Sequence, residues 1–172
     1  MSQIEGGIGP YENAGVPGAG TSEVQTLTIG GTPTGGTFKL AFDGFTTEAI
    51  TFTDADDAAL IAAVDAALEA LPNIGAGGVT CADGTLTDGI GTITITFAGN
   101  LAKLVVPTIT VADNSLTGTS PTLAVAETTP GVTADFRGCK KGALVTDTTN
   151  GKLYINTGTA LAPTWTVVGS QS

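Results

Sequence analysis

Residue types that perform acid–base or nucleophilic chemistry are scarce in this chain of 172 residues. Histidine is absent, which removes the commonest general base, the usual serine and cysteine triads, and most zinc and copper sites. The two cysteines, Cys81 and Cys139, stand far apart with no neighbouring ligand, so they complete no tetrahedral metal site. We therefore expect no metal and no cofactor.

Three aspartates that lie close together, Asp54, Asp56 and Asp57, invite comparison with a calcium loop. An EF-hand loop that begins at Asp54 needs an oxygen ligand at Ala58 and a glycine at Ala59, so the pattern fails. The sequence instead places Asp54 at the N-cap of a helix, with the other two in its first turn near the positive end of the helix dipole.

The glycine-rich stretches also lack the motifs of a nucleotide site. None contains Gly-Lys-Ser/Thr, and none shows Gly-x-Gly-x-x-Gly between a strand and a helix, so we expect turns. Sixteen acidic residues leave a pair of catalytic carboxylates open on composition alone, but their placement does not favour one. The sequence predicts a protein that is not an enzyme.

Composition and charge argue against nucleic acid and membranes as partners. Hydrophobic residues make up 41% of the chain, which is enough to close a core, and charged residues only 13%. A formal net charge of −10 repels phosphate backbones, so nucleic acid is not an expected partner. The longest apolar stretch, Ala58 to Leu71, is interrupted by Asp65 and Glu69 and is too short for a bilayer. No cation precedes Lys39, so we expect neither a leader peptide nor membrane association.

Residues 23–130 are predicted to form an α+β core module, mainly β, with one amphipathic helix packed on an antiparallel sheet. Alternating apolar residues predict strands at 24–29, 37–42, 46–53, 78–81, 91–97, 107–111 and 123–128. The turn residues at 30–36 predict a hairpin between the first two strands. Residues 100–106 fit either a loop or an apolar edge segment.

The helix is predicted from Asp54 to Leu71. Its apolar residues recur on one face at helical spacing, namely Leu60, Ile61, Val64, Leu68 and Leu71. Asp65 and Glu69 are expected to face outward, and Pro72 and Gly75 end the helix.

Residues 142–172 are predicted to form a β-meander, with strands at 143–147, 152–156 and 164–168. Asn150-Gly151 between two alternating segments is a strong hairpin signal. Three short strands bury little apolar surface alone, so Tyr154 and Trp165 are candidate contacts to the core or to symmetry mates. Residues 131–141, with Arg137, Lys140 and Lys141, form either a solvated linker or a contact with the acidic part of a neighbouring subunit.

Residues 1–22 show no apolar period and are rich in Gly and Pro, which predicts an extended N-terminal arm. One possibility is a simple unstructured terminus. The other is an arm that lies across a neighbouring subunit, with the anchors Ile4, Ile8, Tyr11 and Val16.

Several of these segments resemble known phage proteins. Val-Gln-Thr-Leu-Thr-Ile at 24–29, Pro-Thr-Gly-Gly-Thr-Phe at 33–38, Thr-Thr-Glu-Ala-Ile at 46–50 and Leu-Pro-Asn-Ile-Gly-Ala-Gly-Gly-Val-Thr at 71–80 resemble a module of tailed-bacteriophage virion proteins and some large bacterial surface proteins. Asp-Thr-Thr-Asn-Gly-Lys-Leu-Tyr-Ile-Asn-Thr-Gly at 147–158, followed by Trp165, is similar to short hairpins of phage fibre and head-associated proteins.

The resemblance implies a virion structural protein assembled in the bacterial host cytoplasm. The class it implies is that of capsid decoration, cement or head-fibre proteins, which bind the major capsid protein from outside the particle. A homo-oligomer, with a trimer as our expectation, follows from the same class. The alternative is a tail, baseplate or fibre module that binds a host receptor or glycan.

Overall fold

A computed structural model of the chain describes residues 11–13 and 15–169. The chain divides into two compact units. We call Ser22–Val132 the core unit, and Met1–Thr21 together with Thr133–Ser172 the terminal unit. Antiparallel strands predominate among the described residues and one α-helix is present, which confirms the predicted α+β, mainly β class.

The secondary structure follows in chain order. The described strands are β1 (Tyr11–Asn13), β2 (Val24–Phe42), β3 (Phe45–Thr46), β4 (Ile50–Thr51), β5 (Val79–Asp83), β6 (Gly91–Phe97), β7 (Thr110–Thr129), β8 (Leu144–Asp147), β9 (Lys152–Asn156) and β10 (Trp165–Val167). Helix α1 (Asp57–Glu69) lies between β4 and β5, and a short 3₁₀ helix spans Gly99–Leu101. None of the helices among the described residues has the length and apolarity needed to cross a membrane.

The core unit is built on a six-stranded sheet dominated by two long strands. Its main path runs β3, β2, β6, β5, and β4 and β7 also pair with β2. Strand β2 pairs antiparallel with β7 from Val24 opposite Thr129 to Ala41 opposite Thr110. The predicted hairpin at 30–36 is therefore wrong, because these residues continue β2. The segments 107–111 and 123–128, predicted as separate strands, likewise meet in one strand, which begins at Thr110.

Glycines at the middle of this ribbon explain the error. Gly31 has a φ of +76°, and a Cβ there would lie 2.1 Å from the carbonyl oxygen of Ser120. Gly118 has a φ of +132°, and a Cβ there would lie 2.2 Å from the carbonyl oxygen of Thr32. The register also shifts between Gly30 and Thr32. Glycine is thus required for close backbone approach at bulges, and its sequence signal resembles that of a turn.

The N-cap of helix α1 lies two residues later than predicted. Its N-cap is Asp56, whose Oδ1 accepts a hydrogen bond from the Ala59 amide at 2.9 Å, so the prediction of Asp54 as the cap is wrong. The fully buried side chains Leu60, Val64 and Leu68 form one face of the helix. They pack against buried residues of the sheet that include Leu27, Ile29, Phe38, Leu40, Ile93, Ile95 and Phe97.

Two buried polar side chains fix the segment that precedes β7. The Glu23 carboxylate accepts the Val106 amide at 3.0 Å, and Gln25 Oε1 accepts the Ile109 amide at 2.8 Å. Gln25 Nε2 donates to Glu23 and to the Pro107 carbonyl oxygen. These hydrogen bonds replace the bonds to water that both side chains lose on burial, so the core can contain them. Residues 100–106, predicted as a loop or an apolar edge segment, contain no strand. Residues 100–101 belong to the short 3₁₀ helix and the rest is loop.

The terminal unit contains a four-stranded sheet in the order β1, β8, β9, β10. Strands β8 and β9 pair antiparallel on either side of the loop at 148–151, and β1 pairs parallel with β8. Both the amide and the hydroxyl of Thr148 donate to the Asn13 carbonyl oxygen. Part of the segment predicted as an arm thus forms a strand with its own chain.

Residues 133–143, most of them in the segment predicted as a linker, are also held in place. Gly138 donates its amide to the Ala160 carbonyl oxygen at 2.6 Å, and Gly142 donates to Asn156 at 2.8 Å. The Asn156 side chain donates to the Cys139 carbonyl oxygen at 2.8 Å. This segment is a folded loop of the terminal unit.

Candidate interaction surfaces

The residues predicted as contacts differ in how exposed they are in the structure. Ile4 and Ile8 lie outside the described residues. Tyr11 and Val16 expose 52% and 64% of their surface. Trp165 is half-buried, whereas Tyr154 is buried inside the terminal unit and offers no contact surface.

Tyr11 and Trp165 each pack against the ring of Phe136. The Tyr11 and Phe136 ring centroids are 5.7 Å apart, and the Phe136 and Trp165 rings pack edge to face at 6.0 Å. Phe136 has a φ of +54°, a strained conformation for a bulky residue, which the surrounding structure must stabilise. Sequence reasoning missed Phe136 because it stands alone in a segment predicted as a linker.

The polar groups of this aromatic cluster are the Tyr11 hydroxyl and the Trp165 indole nitrogen. A hydrogen bond with the Cys139 thiol raises the pKa of the Tyr11 hydroxyl, so the phenol stays protonated at neutral pH. The Trp165 Nε1 atom is buried and has no hydrogen-bond partner among the described residues. The cluster therefore resembles a packing and contact surface, with Tyr11 as its exposed part.

The outer face of the core sheet is a surface of small uncharged side chains. One row crosses four strands in register, from Ala82 on β5 through Thr94 and Thr26 to Ala126 on β7. The neighbouring row contains Thr92, Thr28 and Ala124. Because no side chain in these rows is long or charged, another surface can approach this face closely.

Strand β7 forms one edge of that face. Among the described strands it pairs with β2 alone, so its other side is an open edge, although Pro121 has no amide N–H there and the Leu116 amide donates to the Asn114 side chain. Its charged residues are Asp113 and Glu127, and it contains no Lys or Arg, the charges that commonly protect an edge. Long exposed edges of this kind can accept a further strand.

A groove lies between α1 and β5 on the core unit. Its volume is about 480 Å³, and its lining residues are Ala58, Ile61, Ala62, Asp65, Glu69, Gly77, Val79, Thr80 and Cys81. Asp65 Oδ1 accepts the Cys81 amide at 2.7 Å, and Glu69 Oε1 accepts the Gly77 amide at 2.7 Å. The two acids predicted to face outward therefore bind backbone amides at the wall of the groove.

The Cys81 thiol is one of the groups that line this groove. Burial, and after it the Asp65 carboxylate, raises the pKa of the thiol far above its ordinary value. The thiol consequently stays protonated at neutral pH. In the described part of the chain, no three metal-binding side chains are arranged to hold an ion. The chemistry that this groove offers is binding through an apolar floor and an acidic rim.

Charge is divided unevenly between the two units. The core unit contains 12 of the 16 acidic residues and 2 of the 6 basic residues, which gives a formal charge of −10. The terminal unit contains the other 4 acidic and 4 basic residues, so its formal charge is zero. The whole net charge of the chain thus lies on the core unit.

No protein-family model matches the chain, and no curated protein matches it. Among solved structures, a chain from Mycobacterium phage Patience aligns with a TM-score of 0.43 and 15% sequence identity. The alignment covers 88% of this chain and 57% of the phage chain. This chain therefore spans little more than half the length of the phage chain.

Proposed function

We propose that the chain is a non-enzymatic structural protein of a tailed-bacteriophage virion. In this proposal it is a decoration, cement or head-fibre protein that binds the major capsid protein on the outer surface of the particle as a homo-oligomer. The virion setting rests on the resemblance of residues 24–50, 71–80 and 147–165. The assembly role is supported by the surfaces of the core unit.

The observation that carries the assembly role is the open edge of β7 beside an uncharged face. An extended capsid segment that pairs with this edge gains backbone hydrogen bonds, which require no particular side-chain chemistry from the partner. The adjoining threonine and alanine rows, which include Thr26, Thr94 and Ala126, permit close packing without buried charge. Attachment of this kind crosslinks neighbouring capsid subunits and stabilises the shell.

The double variant Ala124→Lys and Ala126→Lys tests this role. Both alanines are exposed residues of β7 itself. Two lysines there obstruct the addition of a strand and place charge on the face without disturbing the core. We expect binding to purified capsids that lack the protein, measured by co-sedimentation, to fall about tenfold or more.

The matched control is Ala82→Lys, which adds a lysine to the same row at the opposite edge of the sheet. We expect this variant to bind capsids as the unaltered protein does. If the double variant at β7 also keeps full binding while its circular dichroism is unchanged, the edge is not the attachment surface.

The second candidate is a tail, baseplate or fibre module that binds a host receptor or glycan. The aromatic cluster of Tyr11, Phe136 and Trp165, in which Tyr11 is exposed and the other two are half-buried, favours it, because aromatic side chains are enriched at recognition sites. The position of antibody-labelled protein on intact particles separates the two. Label at the tail tip alone would contradict the capsid proposal, and label over the head would contradict the second candidate.

A further inference from the structure

We infer that the groove between α1 and β5 binds the loop at residues 137–141 of a second copy of this chain. The contact is heterologous, since the core unit of one copy meets the terminal unit of another. This inference concerns association between copies and does not depend on attachment to a capsid. It rests on the groove, on the form of the loop, and on the division of charge.

The groove is suited to a cationic segment that also has apolar stems. Its floor is formed by Ile61, Val79 and small alanines, and Asp65 and Glu69 provide the only charges among its lining residues. The Glu69 carboxylate receives the Gly77 amide through Oε1, which leaves its second oxygen for a further donor. The Asp65 carboxylate receives both the amide and the thiol of Cys81 and adds its negative charge to the groove. A lysine side chain offers both features, because its methylene stem packs on apolar surface and its ammonium group binds carboxylates.

The loop presents two such side chains on a fixed backbone. Lys140 and Lys141 are both exposed. The backbone around them is held by hydrogen bonds from Gly138 to Ala160 and from Ala143 to Lys140. The Asn156 side chain adds a hydrogen bond to the Cys139 carbonyl oxygen. A segment that is already ordered loses little backbone entropy on binding.

The charge division identifies another copy of the chain as the occupant. Two core units repel one another at a formal charge of −10 each, so a symmetric contact between grooves is disfavoured. The terminal unit is neutral overall and holds three of the six basic residues of the chain within positions 137–141. A contact between unlike units therefore brings opposite local charges together.

The first test is self-association of the full chain by sedimentation velocity, at total concentrations up to about 1 mM, where weak contacts become populated. We expect oligomers at low salt that dissociate as ionic strength rises, because exposed charge pairs are screened. The variant Lys140→Glu with Lys141→Glu should weaken association about tenfold or more. The control Lys152→Glu changes an exposed lysine of the same unit outside the loop and should have little effect.

The groove is tested with substitutions that leave its carboxylates in place. Ala62→Lys adds a positive charge at the groove lining and should weaken association as strongly as the loop variant. Ala66→Lys adds the same charge at an exposed helix position outside the lining and should not.

A mixing experiment then separates a heterologous contact from a symmetric one. The loop variant keeps an intact groove, and the Ala62→Lys variant keeps an intact loop. An equimolar mixture should therefore form dimers at concentrations at which each variant alone is monomeric. Three outcomes would overturn the inference: an unaltered chain that is monomeric throughout, association that survives both variants, or a mixture that remains monomeric.

Discussion

The core unit and the terminal unit are stabilised by different means. Among the described residues, twenty buried apolar side chains belong to the core unit, and only Ala134, Val145 and Tyr154 belong to the terminal unit. Each unit also buries two polar side chains completely, Glu23 and Gln25 in the core unit and Asp147 and Asn156 in the terminal unit, so polar groups are a much larger share of the small terminal core. One unit is thus held by apolar packing, whereas the other depends on hydrogen bonds to a few polar groups.

The buried polar groups of the terminal unit bind backbone groups both near to them and far from them in the sequence. Asp147 accepts amides from Gly15, Thr149 and Asn150. Asn156 donates to the Cys139 carbonyl oxygen and accepts amides from Gly158 and Thr164. A small unit with a small apolar core can hold irregular loops in this way, because each bond satisfies a backbone group that water would otherwise bind.

The largest expected effect comes from a cavity in the core unit. Phe97 is fully buried and its ring packs 5.3 Å from that of Phe42. Phe97→Ala should lower the free energy of unfolding of the core unit by about 3–5 kcal/mol. Far-ultraviolet circular dichroism reports helix α1, and the fluorescence of Trp165, the only tryptophan, reports the terminal unit.

If the units are stabilised independently, Phe97→Ala shifts the dichroism transition in urea and leaves the fluorescence transition in place. The control Phe45→Ala removes a ring that is 46% exposed and should change little. An equal shift of both transitions would show that the two units unfold as one cooperative structure.

A polar deletion in the terminal unit should have the next largest effect. Asn156→Ala removes the donor to Cys139 and the acceptor of two amides, so it leaves buried backbone groups without partners. We expect a loss of about 2–3 kcal/mol in the transition followed by Trp165 fluorescence, with little change in the dichroism of α1. Asn114→Ala, at an exposed position of β7, is the control.

A small effect of Asn156→Ala on the fluorescence transition would mean that apolar packing also holds the terminal unit together. The contrast between the two units would then be one of size alone.

The sequence predicted local elements in both units and missed the contacts between distant segments. Strands β8, β9 and β10 lie within one residue of their predicted bounds, whereas the turn predicted at 30–36 in the core unit is strand. Apolar periodicity reports burial directly, so the one helix and strand β6 were predicted close to their positions. Hydrogen bonds between residues far apart in sequence leave no local pattern. No local sequence pattern therefore indicated that β1 pairs with β8 or that the loop at 133–143 is folded.

The same limit explains which contact features were missed. Asp65 and Glu69 have the spacing of solvent-facing residues on α1, yet both bind amides beside β5. Phe136 joins Tyr11 and Trp165 through a backbone conformation that no sequence pattern indicates. Glycine signals were ambiguous as well, since Gly31 serves a bulge within β2 and not a turn.

The smallest expected effect is a pH dependence confined to the terminal unit. The Asn150 side chain, and then the amides of Asn150, Thr149 and Gly15, lower the pKa of Asp147 below its ordinary value, although burial opposes them. A carboxyl group whose folded pKa is depressed contributes stability that is complete above its unfolded pKa of about 3.9 and is lost as pH falls through the folded pKa.

Trp165 fluorescence should therefore show the terminal unit losing stability as pH is lowered from about 4. Asp147→Asn should be less stable at neutral pH and should flatten that dependence, because the titrating group is gone. The matched variant Asp135→Asn removes the charge of the exposed carboxylate that accepts the Gly18 amide, and it should leave most of the acid dependence in place. An unchanged acid profile in Asp147→Asn would instead assign the dependence to other carboxylates, and the terminal unit would no longer depend on this buried acid for its stability.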